Sequence, residues 1–466
     1  MSDVKPSKSV QEKKSKGSAK TKVTGSARLA ALSALSKSRR GGDFAADALD
    51  AACAQNALDA RDIALVTALY YSAVQNLYYI DYYIDHYLSI PIKKLQPKVL
   101  DILRISACQI LFMDKIPASA AVNEGVELCK SLGMAKAAGL TNAVLRRISE
   151  NKNNLPKLEG ESAEKIMSTR YSIPLWLVER VISRVGEKAA AEFFRFCNEE
   201  PRLSVQVNTL KAQGEEVLTS LLSAGVSAER HPFLADCLLL DISGKAMTEL
   251  PQFLDGQFYV QDAASKLAAL ATGASEGDKI LDVCSAPGGK SFAISIQTGD
   301  RSKVLSCDIS EGKLQKVMDG AARLGISGIK TRKADGRELV AEWKGAFDVV
   351  LCDVPCSGFG VIAKKPEIRY KAQEDISRLP QIQLDIIKNA SNYVNKNGVL
   401  LYSTCTILEE ENEDVVRAFL AENDDFELEN FEPCAGIRSE GGMLTLWPQQ
   451  HATDGFFAAK LRKKCK

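Results

Sequence analysis

The spacing of apolar residues changes character along the chain. Between Ser26 and Asn151 it is helical throughout. Ile63, Val66, Tyr70, Val74 and Leu77 recur at intervals of three and four, the period of a one-sided helix. Val99, Leu100, Ile102, Leu103 and Ile105 form a second stretch beyond Pro97, and Val122, Val126 and Leu128 a third after the break at Ile116-Pro117-Ala118-Ser119. Gly139 punctuates, and Leu140 to Ile148 makes one more short helix. Several helices on short connections predict a small bundle. Tyrosines 70, 71, 78, 79, 82, 83 and 87 share the helical spacing, so we read them as packing residues, not a base-stacking platform.

The period then mixes. Leu203 to Asn208 alternates like a strand, Glu215 to Leu222 reads as a helix, and Cys237 to Leu240 as another strand. From Gln257 onward short apolar runs at Lys279–Val283, Val304–Cys307, Phe347–Cys352 and Val399–Ser403 alternate with helical stretches. That alternation predicts a parallel sheet with helices on both faces. Residues 1–25 carry Ser, Lys and Gly with almost no large apolar side chains, which predicts disorder. The expected architecture is therefore multidomain: a disordered basic tail (1–25), an all-α bundle (26–151), a small α+β connector (152–255) and an α/β Rossmann-like domain (256–466).

Composition narrows the class. No apolar run approaches the roughly 20 residues of a membrane span, and the N-terminus lacks the apolar segment of a secretory signal. A cytoplasmic protein is expected. The cysteines are scattered without a CxxC pair, and His86, His231 and His451 lie far apart. Neither a structural metal nor a disulfide framework is expected. Net charge is only +1, which argues weakly against nucleic-acid binding. The charge is uneven, however. Lys5, Lys8, Lys13, Lys14, Lys16, Lys20, Lys22, Arg28, Lys37, Arg39 and Arg40 crowd the start, and Lys460, Arg462, Lys463, Lys464 and Lys466 the end. Such tails can track phosphates or simply be solvated.

Candidate chemistry lies at the ends of the late strands. Lys279–Val283 runs into Cys284-Ser285-Ala286-Pro287-Gly288-Gly289-Lys290-Ser291, a strand, a glycine turn and a helix start that would let a ligand approach the backbone. Asp308, Asp335 and Asp353 follow the next strands, where open α/β sheets bind ligands. The loop lacks both the GxGxxG spacing and a Walker lysine pattern. A cofactor with a ribose, an adenine and a cationic sulfonium fits the carboxylates better than a dinucleotide or nucleoside triphosphate.

Two thiols, Cys356 after Asp353-Val354-Pro355 and Cys405 after Tyr402-Ser403-Thr404, would face the same crevice. Paired thiols over a methyl-donor pocket point to covalent catalysis on cytosine: a thiolate adding to C6 makes C5 nucleophilic. A thiol after Asp-Val-Pro, where amine methyltransferases carry a base-stacking aromatic, favours methylation on carbon.

At these residues the sequence resembles the RNA 5-methylcytosine methyltransferases of the Sun/RsmB (also called Fmu) type. Leu281–Ser291, Cys307-Asp308-Ile309-Ser310, Asp335-Gly336-Arg337, Asp353–Gly358, Leu401–Thr406 with Glu409-Glu410-Glu411-Asn412, and Asp454–Leu461 carry the resemblance. It implies that Cys405 is the nucleophile and that Cys356 assists product release, although in another pyrimidine methyltransferase group the Pro-Cys thiol attacks. It also implies that Cys284, Ser285, Ala286, Pro287, Gly288, Gly289, Lys290, Asp308, Asp335 and Asp353 bind S-adenosylmethionine, with Lys290 close to the target base.

Ile116–Glu124 and Asn142–Arg147 are similar to the NusB-like helical RNA-binding domain. That pairing implies small-subunit (16S) rRNA as substrate. The alternatives are another RNA such as tRNA, a small-molecule or protein substrate, or a non-catalytic RNA-binding module. A monomer is expected. Gln206 and Ile173 depart from the arginine and histidine common in the family, which bears on RNA contact by the connector. Arg146, Arg147, Lys211, Lys364, Lys365 and Arg369 are candidate phosphate contacts.

Overall fold

The computed structural model describes residues 26–38, 45–56, 58–242 and 246–465. The predicted tail 1–25, Arg39, Arg40 and Lys466 lie outside the described residues. The chain separates into two compact units, one ending at Pro156 and one beginning at Lys157.

The first unit is helical. It contains α1 (Ser26–Ser38), α2 (Ala45–Gln55), α3 (Ala60–Gln75), α4 (Leu77–Tyr87), α5 (Pro97–Phe112), α6 (Ala118–Ser131) and α7 (Ala138–Glu150). The starts follow local chemistry. The Asp59 carboxylate accepts the Asp62 N–H ahead of α3, and Pro97 opens α5, where its missing N–H costs nothing. Helix α5 packs against α1, α3, α4, α6 and α7 and buries Val99 and every residue from Asp101 to Ile110. A central helix must be apolar almost all round, and its buried cation is paired: Arg104 Nε donates to Asp81 at 2.7 Å. Tyr70 and Tyr83 are in the core, and Tyr79 and Tyr82 pack edge-on against Tyr83, as their spacing predicts. Ile63, read as part of the same stripe, is exposed.

The second unit opens with two helices, α8 (Ala163–Tyr171) and α9 (Leu175–Phe196), which the mixed spacing did not reveal. A small antiparallel sheet follows, ordered β2-β3-β1-β4: β1 (Leu203–Val207), β2 (Ser227–Arg230), β3 (Cys237–Asp241) and β4 (Phe258–Val260), with α10 (Gly214–Ser223) and α11 (Pro251–Leu254). Its fourth strand therefore comes from beyond position 255.

The large sheet comprises β5 (Lys279–Asp282), β6 (Lys303–Asp308), β7 (Ile329–Lys333), β8 (Phe347–Asp353), β9 (Val394–Thr404), β10 (Phe426–Leu428), β11 (Met443–Leu446) and β12 (Phe456–Lys463). Its order is β10-β12-β9-β8-β5-β6-β7, with β11 beside β12. The five strands from β9 to β7 are parallel. β12 runs antiparallel to β9, and β10 and β11 antiparallel to β12. The sheet is thus mixed, not wholly parallel as the alternation predicts: β12 is inserted between β9 and β10 and runs antiparallel to both.

Adjacent residues face opposite cores. Ile280, Val349 and Leu401 pack with α12 (Ala263–Ala271), α13 (Gly289–Gln297) and α14 (Glu311–Leu324). Leu281, Val350 and Leu400 pack with α16 (Leu379–Ser391) and α17 (Glu413–Glu422). The remaining helices, α15 (Gln373–Ile376) and α18 (Pro448–His451), are single turns. No helix among the described residues is long and apolar enough to cross a membrane.

Candidate active site

The site forms where β5, β8 and β9 end. After β5 the chain turns through Cys284–Gly288 into α13. Gly288 has φ +107°, and a Cβ there would stand 2.6 Å from the Phe292 ring, so only glycine makes this turn. Ser285 N–H donates to Cys307 O at 2.8 Å, and Gly288 N–H to Ser285 O at 2.7 Å. The loop is thereby fixed above the sheet.

It borders a cavity of about 420 Å³, whose wall includes Ser265, Asp282, Cys284, Ser285, Ala286, Pro287, Gly289, Lys290, Asp353, Lys365, Cys405 and Phe456. Two wall atoms, Asp282 Oδ1 and Ser285 Oγ, are buried without a hydrogen-bond partner. Orphaned buried acceptors are costly, and together with Asp353 they fit a polar, cationic ligand such as S-adenosylmethionine. Burial pushes the Asp282 carboxyl up to about 7, against the opposing hydrogen bond from Ser291.

Asp308 and Asp335 do not reach this wall. Asp308 closes β6 and accepts the Ser310 N–H at 2.9 Å. Asp335 is gripped by its neighbour: Arg337 Nε and Nη2 donate to its two oxygens at 3.0 and 2.7 Å, which holds its carboxyl below the usual range.

The two thiols do meet. β8 and β9 pair in parallel with Asp353 opposite Ser403, so Cys356 and Cys405 leave neighbouring strand ends, and their sulfurs lie 3.3 Å apart. Both are free thiols. Cys405 lines the cavity; Cys356 does not. Asp353 accepts from Ser403 Oγ at 2.8 Å and Lys290 Nζ at 2.6 Å, and Lys290 also donates to Ser265 Oγ at 2.8 Å. The contact with Cys356 holds the Cys405 thiol below its ordinary value against the effect of burial, with Lys290 assisting. The same contact and burial raise Cys356 well above it, reinforced by Glu411 and Asp353. Of the two thiols, Cys405 is therefore the one that gives up its proton more readily.

Backbone and side chains clamp both thiol loops. Gly360 N–H donates to Cys405 O at 3.0 Å, and Gly455 N–H to Gly360 O at 2.9 Å. A Cβ on Gly360 would lie 1.8 Å from Gly455 O, so this three-way approach requires glycine. Glu411 Oε2 accepts from Ser357 N–H at 2.9 Å and from Gln383 Nε2 at 2.8 Å. Asn412 accepts from Thr404 Oγ1 at 2.6 Å and donates to Thr406 O at 3.0 Å. Beneath them, Phe359, Ile362, Ile407 and Leu408 share one core with Leu177, Val181, Phe193 and Phe194. The unforeseen helices α8 and α9 are thus the floor of both loops.

A second cluster was also not foreseen. Lys364 Nζ donates to Asp262 Oδ2 at 2.6 Å and to Asp454 Oδ2 at 2.8 Å. Burial and Asp262 push Asp454 up to about 7. Burial opposes ionisation of Asp262, but Lys364 holds it below the usual range. These residues are about a hundred positions apart, so spacing gave no signal.

Of the candidate phosphate contacts, Arg146 and Arg147 are exposed on α7 and Lys365 lines the cavity. Three are otherwise employed. Lys211 Nζ donates to the carbonyls of Asp255 and Arg323 at 2.8 and 2.9 Å. Arg369 is fully buried and donates to Tyr171 O, Cys197 O and Asn198 Oδ1. Lys364 is held by its two carboxylates. Gln206 and Ile173 are likewise fully buried, so their departures touch packing, not an RNA-facing surface. Among the described residues no group of three or more His, Cys, Asp or Glu side chains is placed to hold a metal.

Residues 269–462 match the family model described as 16S rRNA methyltransferase RsmB/F. Residues 25–150 match the NusB family, and 173–246 the ferredoxin-like domain of RsmF/B-like methyltransferases. The chain is 34% identical over 443 residues to the probable ribosomal RNA small subunit methyltransferase B of Bacillus subtilis (strain 168), covering 93% of this chain and 98% of that one. It is 31% identical to ribosomal RNA small subunit methyltransferase B of Shewanella oneidensis, covering 86% and 91%. Among solved structures, that of PH0851 superposes with a TM-score of 0.77 at 26% identity, covering 94% of this chain and 99% of that one. NSun6 from Pyrococcus horikoshii with SFG shares the fold, with a TM-score of 0.54 at 22% identity over 62% of this chain and 97% of that one.

Proposed function

The chain belongs to the RsmB/F family of 16S rRNA methyltransferases, S-adenosylmethionine-dependent enzymes, and we propose that it methylates C5 of a cytosine in small-subunit rRNA through a covalent bond between Cys405 and C6. The observation that carries this reading is the pair of sulfurs 3.3 Å apart, with Cys405 alone of the two on the cavity wall.

When bound, S-adenosylmethionine supplies a sulfonium methyl that a carbon nucleophile can take. Cytosine C5 is too electron-poor to attack unaided. The Cys405 thiolate adds to C6, forming an Sγ–C6 bond and placing an electron pair at C5. C5 would then take the methyl carbon as the donor's methyl–sulfur bond breaks and its electron pair leaves with that sulfur. A base takes the C5 proton, the C5–H electron pair restores the C5–C6 double bond, the Sγ–C6 bond breaks, and Cys405 leaves as thiolate. One difficult substitution becomes two easier steps.

Cys356, kept protonated beside its partner, is placed to assist that release. Asp282, Cys284–Lys290 and Asp353 are assigned to the cofactor side of the cavity. Asp308 and Asp335, at the adjacent strand ends, are assigned to its outer rim. The target base must leave its stack or already be unpaired to reach Cys405.

The test is transfer of labelled methyl from S-adenosylmethionine to small-subunit rRNA, followed by digestion to nucleosides. Label in 5-methylcytidine is expected; label in any other nucleoside, or only in tRNA, would overturn the assignment.

A further inference from the structure

Beside the cavity that Cys405 lines is a second one of about 240 Å³. The two share a wall made of Ser204, Asp262, Lys364 and Asp454. The second cavity is smaller than the roughly 300–1,000 Å³ typical of drug-sized ligands, so it suits one flat fragment. Phe196, at the end of α9, and Leu239, on β3, offer apolar faces. The shared wall supplies the polar end, and it is acid-rich: one lysine serves two carboxylates. Glu199 and Glu200 add to that excess, against one further cation, Arg202, which pairs with Glu229. Acids thus outnumber bases in the lining, which disfavours phosphate and favours N–H donors, because an ionised carboxylate only accepts.

Taking the RNA reading above as given, we propose that this cavity seats the nucleobase next to the target cytosine in the strand, stacked on Phe196, with Asp454 and Lys364 meeting its hydrogen-bonding edge. Guanine fits best, since its paired N1–H and N2–H donors match a carboxylate. The same four residues line both cavities, as neighbouring seats for two consecutive, splayed nucleotides require. Cys405 acts on one base while Asp454 reads its neighbour, which makes Phe196 and Asp454 specificity-determining residues.

The test uses the full chain and rRNA fragments centred on the mapped cytosine, with each of the four bases at either flanking position. Relative kcat/KM is measured for wild type, Phe196→Ala and Asp454→Asn. Wild type should favour guanine at one flank by about tenfold or more, and both variants should bring that ratio to within about threefold of unity. Indifference to both flanks, preference for another base, or a preference that survives both variants would overturn the proposal. So would an equal loss on every fragment, which marks a purely structural role. Methyl transfer to no rRNA fragment at all would instead overturn the RNA reading on which the proposal rests.

Discussion

Cys356 and Cys405 stand in short motifs at strand ends, and a parallel sheet brings such ends together. Asp282 was hidden because it reads as part of the strand Lys279–Val283, yet it is a buried carboxyl on the cavity wall. Lys211 and Arg369 misled for the opposite reason: their carbonyl partners lie far away in sequence, so a structural cation looked like a free one.

Asp282 yields a pH prediction. Its folded-state value, about 7, exceeds the ordinary aspartate value of about 3.9. Its contribution to stability is therefore complete below about pH 4 and is lost as pH rises through about 7. Asp282→Asn should remove this dependence, so Tm of wild type minus Tm of the variant should fall steadily from pH 4 to 7 in thermal melts without ligand. A constant difference would contradict the assigned burial.

At the scale of elements, most of the periodic stretches were read and one was passed over. The bundle helices and β5, β6, β8 and β9 followed their spacing. Helix α8 is short and largely polar, whereas α9 is strongly one-sided, with Leu177, Val178, Val181, Phe193 and Phe194 buried on either side of a bend at Gly186, whose φ is +79°. The antiparallel return of β12 was also invisible, since a strand's own pattern does not encode its direction.

The close approach of the Pro-Cys loop to β12 can be probed with glycine. Gly360→Ala should destabilise by about 1–3 kcal/mol through overpacking and lower methyl transfer by about 10²-fold through displaced thiols. Gly312→Ala, on α14 where a Cβ meets nothing within 4 Å, should stabilise by about 0.5–1 kcal/mol and leave transfer unchanged. Denaturation curves and initial rates on both variants decide it.

At the scale of the whole molecule, two kinds of hydrophobic pattern announced two kinds of unit, and the comparisons supplied family matches for each. We propose that the functional division follows the segment between α7 and α8, from the 151–152 boundary to Ser162, which holds no helix or strand and exposes most of its side chains. Limited proteolysis should cut first near Lys152 or Lys157 and leave two resistant fragments. First cuts inside α5 or the large sheet would contradict two independently packed cores.

Product release by one thiol from the bond made by the other is the central claim, and a single gel tests it most directly. Cys356→Ala protein is incubated with S-adenosylmethionine and small-subunit rRNA, then run under denaturing conditions. The account predicts a covalent protein–RNA band that disappears when Cys405 is also replaced by alanine. A band that persists in the double variant, or active Cys405→Ala enzyme, would contradict it.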